Sequence, residues 1–433
     1  MASGSDRNGL AYSGYHVAQD GAPDLALTQV GRGTPGGEYL RRFWQPIAYE
    51  SEIKDLPVRA RIMGEDLVIF RDRGGRIGVL HLHCSHRGTS LEFGLIAERG
   101  IRCCYHGRLY DVDGTILDMP GEPASERLKQ EMRQGAYPVH LYGGMIFAYM
   151  GPPDRIPPFP VYDRYELPGV TLQPGPRMVF ECNWIQVKEN ALDPAHTAVL
   201  HTIKGADQFS DEFGQFPELA FGETPAGLVY VAVRPVGDNL WIRSTDVMAP
   251  NIHSITSITE DGRKLKRCAP PWLTIWTTPI DDNCSINFLL RHLDENDRMP
   301  MERRRAIEKF GQTPERSYEE RQRIPGDYDA MVSQGPTAIH AQENLGTLDQ
   351  GVVMFRRYIR EGMDAVQRGQ DPRGLFRGAG RIPTYGTDRV IRASEMGGDA
   401  GNSDARREFA HRMTQEYVKA PPLRDYVRTR VPA

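Results

Sequence analysis

Two short units, Cys84-Ser85-His86 and Cys103-Cys104-Tyr105-His106, with sixteen residues between them, constrain this chain more than any other feature. Each unit carries one thiol and one imidazole. Two thiolates can hold one iron of a [2Fe–2S] cluster and two neutral imidazoles the other, a mixed set whose potential rises to roughly −150 to +300 mV. Structural zinc also accepts two Cys and two His, but its usual spacing puts the cysteines in one unit and the histidines in another. Here every unit holds one of each, which suits a cluster that sorts its ligands by iron. Gly88 follows the first unit and Gly107 the second, so both pairs fall on tight turns whose N–H groups can reach cluster sulfurs. Cys103 has the x-x spacing to His106, which leaves Cys104 as a neighbouring thiol.

A chain of 433 residues has room for two domains. A net charge of −4 gives no reason to expect a nucleic-acid partner, and Arg303-Arg304-Arg305 reads as one solvated helix face. No run of about 18 apolar residues occurs, so no ordinary membrane span is expected. The N-terminus lacks a basic stretch followed by an apolar one. Beyond the two cluster thiols, Cys104, Cys182, Cys268 and Cys284 read as reduced, and a cytoplasmic location is expected.

Residues 44–155 read as short strands and turns. Val58, Ala60 and Ile62 alternate with Arg59 and Arg61, the period-two pattern of a half-buried strand. Asp72-Arg73-Gly74-Gly75 and Asp113-Gly114 mark hairpin turns. The prolines from Pro152 to Pro160 form a linker. Beyond it, strand pairs flank Gly237-Asp238-Asn239 and Asp281-Asp282-Asn283, and helical signals follow from Met301. Val352, Phe355, Ile359, Met363 and Val366 recur at helical spacing. The expected fold class is α+β, a small all-β domain followed by a larger antiparallel-sheet-and-helix domain. Its parts are an N-terminal arm with a lead-in helix near Tyr39–Phe43 (1–43), the cluster domain (44–155) and a catalytic domain (156–433). The last includes a loop or arm from about 367, with a short charged helix near 403–419.

A second donor set lies in Glu189-Asn190-Ala191-Leu192-Asp193-Pro194-Ala195-His196-Thr197-Ala198-Val199-Leu200-His201. Two histidines and a carboxylate on one face, with positions left open, are what a non-haem Fe(II) oxygenase requires. On a regular helix His196 and His201 point about 140° apart, so they converge only where the helix is irregular, for instance at a π-type bulge. Taken alone, the segment reads equally well as a helix start with ordinary polar residues.

With the cluster motif beside it, the chain from about residue 28 to 370 resembles the terminal oxygenase subunit of the Rieske non-haem iron ring-hydroxylating oxygenases. Its Asp-x-x-His-x-x-x-x-His motif is matched by Asp193, His196 and His201. The resemblance implies a third iron ligand, an Asp near the start of a late helix, where Asp349 stands. It also implies that Asp193 bridges an iron histidine to a cluster histidine of the neighbouring subunit. The segments around Gly33-Thr34-Pro35, Ser333-Gln334-Gly335-Pro336 and Arg356-Arg357 are similar to the phthalate dioxygenase branch, which includes aryl O-demethylases. Ser85 and Arg108 depart from the family's usual Pro and Trp.

From that resemblance follow the expected cofactors: a Rieske [2Fe–2S] cluster on Cys84, His86, Cys103 and His106, and a mononuclear Fe(II) on His196, His201 and Asp349. Electrons come from NAD(P)H through a separate ferredoxin or flavin reductase, since the chain has no dinucleotide fingerprint. The substrates are O₂ and a small aromatic acid, oxidised by O-demethylation or by ring hydroxylation. The assembly is a trimer or stacked trimers, with no nucleic acid and no membrane. Arg234, Arg243 and Arg291 lie on strands that could face a substrate carboxylate. The rival readings are a ring cis-dihydroxylating dioxygenase, a Rieske electron carrier with an idle second domain, and a zinc-stabilised binding module.

Overall fold

Alternation along the first third of the chain produces short strands with one buried edge. β1 (Trp44–Tyr49), β2 (Val58–Ile62), β3 (Glu65–Arg71) and β4 (Ile77–His81) come first, then β5 (Leu95–Ile96), β6 (Ile101–Arg102), β7 (Leu109–Tyr110) and β8 (Ile116–Asp118), and last β9 (Val139–Tyr142) and β10 (Met145–Tyr149). They form three small antiparallel sheets, β1-β10-β9, β2-β3-β4 and β5-β6-β7-β8. The expected hairpin across Asp72–Gly75 is there, with Leu67 opposite His81 and Phe70 opposite Gly78. The computed structural model describes residues 11–12, 14, 20–122, 129, 131–204, 209–295, 297–378, 380–424 and 426.

The second part is built on a ten-stranded sheet. It comprises β11 (Val170–Pro174), β12 (Met178–Phe180), β13 (Glu218–Thr224), β14 (Gly227–Val236), β15 (Asn239–Met248), β16 (Ile252–Ile255), β17 (Lys266–Ala269), β18 (Leu273–Asp281), β19 (Cys284–Asp294) and β20 (Thr387–Arg392). The path runs β11-β19-β18-β16-β15-β14-β13, with β12 beside β19 and with β20 between β15 and β17. β15 is buried along its whole length, as expected of a strand covered on both faces. The helix Gln350–Gln367 buries Val352, Phe355, Ile359, Met363 and Val366, one stripe at three- and four-residue spacing. The helix Ser403–Lys419 lays Phe409, Ala410, Met413 and Tyr417 over Val229, Val231 and Val233 of β14.

Three local expectations are corrected. The lead-in helix is Pro35–Leu40 and not Tyr39–Phe43: the Thr34 side chain accepts the Gly37 N–H at 3.1 Å and Pro35 supplies a preset φ at the first turn. The stretch after 367 is not only an arm, because Thr387–Arg392 adds β20 to the large sheet. Arg304 is not on a solvated face. It is buried against the Trp272 ring at 4.8 Å and paired with Asp297, while Arg303 and Arg305 are exposed. The two parts of the chain also touch directly: Met63 and Gly64 N–H donate to the Pro279 and Ile280 carbonyls at the end of β18.

Candidate active site

The two cluster units fold into matching loops. In each, the cysteine N–H donates to a carbonyl five residues on (Cys84 to Thr89, 2.9 Å; Cys103 to Arg108, 2.8 Å). The glycine N–H returns to the cysteine carbonyl (Gly88 to Cys84, 2.9 Å; Gly107 to Cys103, 3.1 Å). Gly88 and Gly107 both take φ of +75°, a left-handed conformation that a side chain would strain. The loops bury Cys84 and Cys103 in an apolar cluster with Leu91, Ile101 and Tyr110, and leave His86 and His106 exposed, their rings 4.6 Å apart. Two inner thiols and two outer imidazoles fit a two-iron cluster sorted by ligand type. The Tyr110 hydroxyl sits 2.9 Å from Cys84 Sγ, and Gln134 ties the first loop down through the Ser85 N–H and the His81 and His83 carbonyls. Burial raises the Cys103 thiol, as for a ligand whose charge a metal would compensate. Cys104 is exposed, and His81 and His83 bond to Tyr137 and to the Gly88 carbonyl.

The second set is assembled by an irregular helix. Asn183 caps the helix Trp184–Asn190, which ends in a turn at Asp193-Pro194, and the chain then runs through a π-helical segment, Val199–Lys204. The wider turn brings His196 Nε2 within 3.2 Å of His201 Nε2, which a regular helix could not do. Asp327 completes the group: its Oδ1 is 3.5 Å from His196 Nε2 and 3.3 Å from His201 Nε2. A point about 2 Å from all three atoms, the usual reach of an imidazole nitrogen to a transition-metal ion, lies at the centre of that triangle. Asn190 Nδ2 donates to Asp327 Oδ1 at 3.2 Å and Gln312 donates to Oδ2. Burial alone would raise the Asp327 carboxyl, but His201, His196 and Gln312 outweigh it and hold it well below the usual carboxylate range. Burial lowers His196, which keeps the imidazole neutral and able to bind a metal.

Asp349 is not in this group. It sits at the start of the helix Gln350–Gln367, where its Oδ2 accepts the Gly346 N–H at 2.6 Å, and it faces an open outer cleft. Asp327 carries no local motif, which is why the sequence pattern pointed elsewhere. Its one signal is its position on the buried face that Tyr328 and Met331 define in the helix Asp327–Val332. Asp193 accepts the Ala195 and His196 N–H groups at 3.0 and 3.3 Å, and its other oxygen is 3.7 Å from His196 Nδ1. It lines both the outer cleft, of about 530 Å³, and the inner cavity.

The inner cavity has two lobes of about 100 Å³ each, which share Asn190, Phe209, His253, Ile255, Ile258 and Asp327. One lobe is walled by Trp272, Leu273, Ile275, Leu289 and Met331 together with Asn287, Glu308 and Gln312. The other contains His196, His201, Arg234 and Arg243. Arg234 donates to the Gln215 carbonyl and to Thr197, and Arg243 to the Ser257 and Thr256 carbonyls. Asp388, 3.8 Å from Arg243, is the one carboxylate within ion-pair range of either among the described residues, and burial raises its own carboxyl. Burial and the neighbouring Arg243 pull Arg234 down to about 10, still protonated at neutral pH. The lobe therefore holds two arginines and two carboxylates, Asp193 and Asp327, the latter turned to the two histidines. Arg291, in contrast, is engaged by the buried carboxylate of Glu308 at 2.7 and 2.6 Å.

Residues 43–135 match the Rieske [2Fe-2S] domain. The chain is 42% identical to the tert-butanol monooxygenase / tert-amyl alcohol desaturase oxygenase subunit of Aquincola tertiaricarbonis, over 94% of this chain and 91% of that one. It belongs to the Rieske non-haem iron oxygenases. Within this family it is also similar to the phenoxybenzoate dioxygenase alpha subunit of Ectopseudomonas oleovorans (37%, covering 85% of this chain and 90% of that one). The 5,5'-dehydrodivanillate O-demethylase oxygenase subunit of a Sphingobium strain is 31% identical, over 84% and 86%. The caffeine-bound NdmA QL mutant of Pseudomonas putida CBB5 shares the fold, with a TM-score of 0.61 at 18% identity over 80% of this chain and 99% of that one. This Rieske oxygenase is thus a terminal oxygenase component of a multicomponent system, with a Rieske cluster and a mononuclear iron as cofactors and a ferredoxin or reductase as electron donor. No helix among its described residues is long and apolar enough to cross a membrane.

Proposed function

We propose that this oxygenase oxidises an aromatic carboxylate, by O-demethylation of a methoxylated ring or by ring hydroxylation. The observation that carries the reading is the pair Arg234 and Arg243, buried in the wall of the same cavity as His196, His201 and Asp327, with Asp388 within ion-pair range of Arg243 and, among the described residues, no carboxylate within that range of Arg234. Burying a cation without a partner is costly, and an anionic substrate group would supply the missing charge. The lobe beyond His253, with Trp272, Leu273, Ile275, Leu289 and Met331 in its wall, offers apolar surface to an aromatic ring.

In this reading Cys84 and Cys103 hold one cluster iron and His86 and His106 the other, while His196, His201 and Asp327 hold the mononuclear iron. Bound there, the cluster would supply single-electron transfer and the iron the reduction of O₂. Asn190 and Gln312 keep Asp327 ionised and oriented. Phe209, stacked on His201 with ring centroids 4.2 Å apart, closes one side of the site to water. Asp193, exposed to the outer cleft and close to His196 Nδ1, is the route to a cluster histidine of a second copy docked in that cleft, in a trimer or stacked trimers. NAD(P)H supplies the electrons through the separate reductase. The electron-carrier reading is not favoured, because it leaves the second donor set and its cavity without a purpose.

A second reading has its own support. The relative at 42% identity is named for tert-butanol and tert-amyl alcohol, neutral aliphatic substrates. One experiment separates the two. The pre-reduced holoprotein is given a single turnover with methoxylated benzoates, benzoate and tert-butanol, and formaldehyde, cis-diols and hydroxylated alcohol are assayed together. Formaldehyde or a cis-diol from the acids supports the carboxylate reading, and Arg234→Met then raises KM for the acid roughly tenfold or more, the worth of a charged hydrogen bond. Turnover of tert-butanol alone replaces that reading with the alcohol one.

A further inference from the structure

His253, on β16, stands at the waist of the cavity and walls both lobes. Behind it lies Lys188, wholly buried in the helix Trp184–Asn190, with Nζ 2.7 Å from His253 Nδ1. Among the described residues no carboxylate reaches Lys188, and the imidazole is its one polar partner. A charged ammonium there would leave two N–H donors without acceptors in an apolar surrounding. Burial drives both Lys188 and His253 well below their ordinary ranges.

With no carboxylate in reach among the described residues, Lys188 makes no ion pair. Its effect is geometric, since the bond to Nδ1 fixes the ring of His253. The other nitrogen, Nε2, has no protein partner among the described residues and lies on the edge of the ring away from Lys188. Nothing else at the waist offers a nitrogen so held, because Asn190 is committed to Asp327 and Phe209, Ile255 and Ile258 are apolar.

We propose that His253 is a specificity-determining residue whose Nε2 hydrogen-bonds an oxygen of the substrate at the waist of the cavity, and that Lys188 is the positioning residue that sets its ring. The ligand class is an organic molecule with a hydroxyl, ether or carbonyl oxygen close to the reacting carbon. The inference rests on this cavity being the substrate site, and not on the substrate being an acid.

The test uses the reduced holoenzyme with nitric oxide on the mononuclear iron, whose electron paramagnetic resonance spectrum reports occupation of the cavity. Phenol and toluene, both neutral and nearly equal in size, are titrated against it. A hydroxyl both donates and accepts, so phenol bonds to Nε2 in either tautomer. The expected result is a phenol-to-toluene affinity ratio that falls about fivefold in His253→Phe, the worth of one hydrogen bond. Lys188→Met is expected to lower the ratio with toluene binding unchanged, and His253→Gln, which keeps a polar atom near Nε2, to recover part of it. A ratio unaltered in His253→Phe, or a wild-type spectrum that neither probe perturbs, overturns the proposal. If Lys188→Met fails to fold, the His253 variants still decide. Both probes are uncharged, so failure here is separate from failure of the carboxylate reading, which the benzoate turnover tests.

Discussion

The third iron ligand is the sharpest question for single residues. His196 and His201 were legible because they share one short motif, and the turn at Asp193-Pro194 announced where their helix begins. Asp327 lies over a hundred positions further along the chain and meets them only after the large sheet has folded. Asp349 had the right local setting, the start of a long helix, but its carboxylate accepts the Gly346 N–H at the entry to the short turn Thr347–Asp349 that precedes the helix. Asp327→Ala is therefore expected to reduce iron from about three to about two per chain, with the visible spectrum of the cluster intact. Asp349→Asn should keep all of it, and iron analysis beside the spectrum distinguishes the two. A second residue acts on the cluster itself. The Tyr110 hydroxyl at 2.9 Å from Cys84 Sγ favours the more negative, reduced state by donating to sulfur. Tyr110→Phe removes one hydrogen bond, about 1 kcal/mol, or about 40 mV for a one-electron couple. Redox titration should find the potential lower by that amount, and an unchanged potential would show that the hydroxyl donates elsewhere.

Among the elements, strands such as β2, β3, β4, β10, β14, β15, β18 and β19 were readable because period-two alternation and short Gly- and Asp-containing turns are local signals. β20 was not, since Thr387–Arg392 follows a Gly- and Arg-rich stretch and pairs with β15, about 150 residues earlier. The π-helical segment was legible only as a requirement: two histidines five apart must converge, and Val199–Lys204 supplies the wider turn. The elements of the first part are tied together by Glu65 on β3, which takes Arg41 at 2.8 Å together with Tyr137 and His81. Burial opposes its ionisation, but His81, Tyr137 and Arg41 prevail and pull its carboxyl from 4.5 down to about 2. A depressed folded value means stability that is present above pH 4.5 and lost as pH falls toward 2. Allowing for solvent at a partly exposed site, Glu65→Gln should cost about 2 kcal/mol at neutral pH. The gap from wild type should close on acidification, as followed by urea unfolding at a series of pH values. A gap constant with pH would place the effect in packing rather than charge.

For the whole molecule, the decisive matter is how the exposed pair His86 and His106 reaches the buried iron site. Asp193 and His196 line both an outer cleft of about 530 Å³ and the inner cavity. Such a cleft suits the docking of a cluster tip, and a ring of head-to-tail copies gives every cleft a neighbour's tip. Two crippled chains can expose that arrangement. Cys84→Ser disables the cluster and spares the iron, whereas Asp327→Ala does the reverse, and neither alone should turn over substrate. Co-expressed in equal amounts and assembled at random, they pair an intact cluster with an intact neighbouring iron at one interface in four, so activity should return to about a quarter of the wild-type value in head-to-tail rings. Were electrons to pass within one chain, every mixed assembly would stay inactive, since no single chain would hold both centres intact. The measured recovery, read beside the assembly mass, therefore reports both the path of the electron and the ring that makes it.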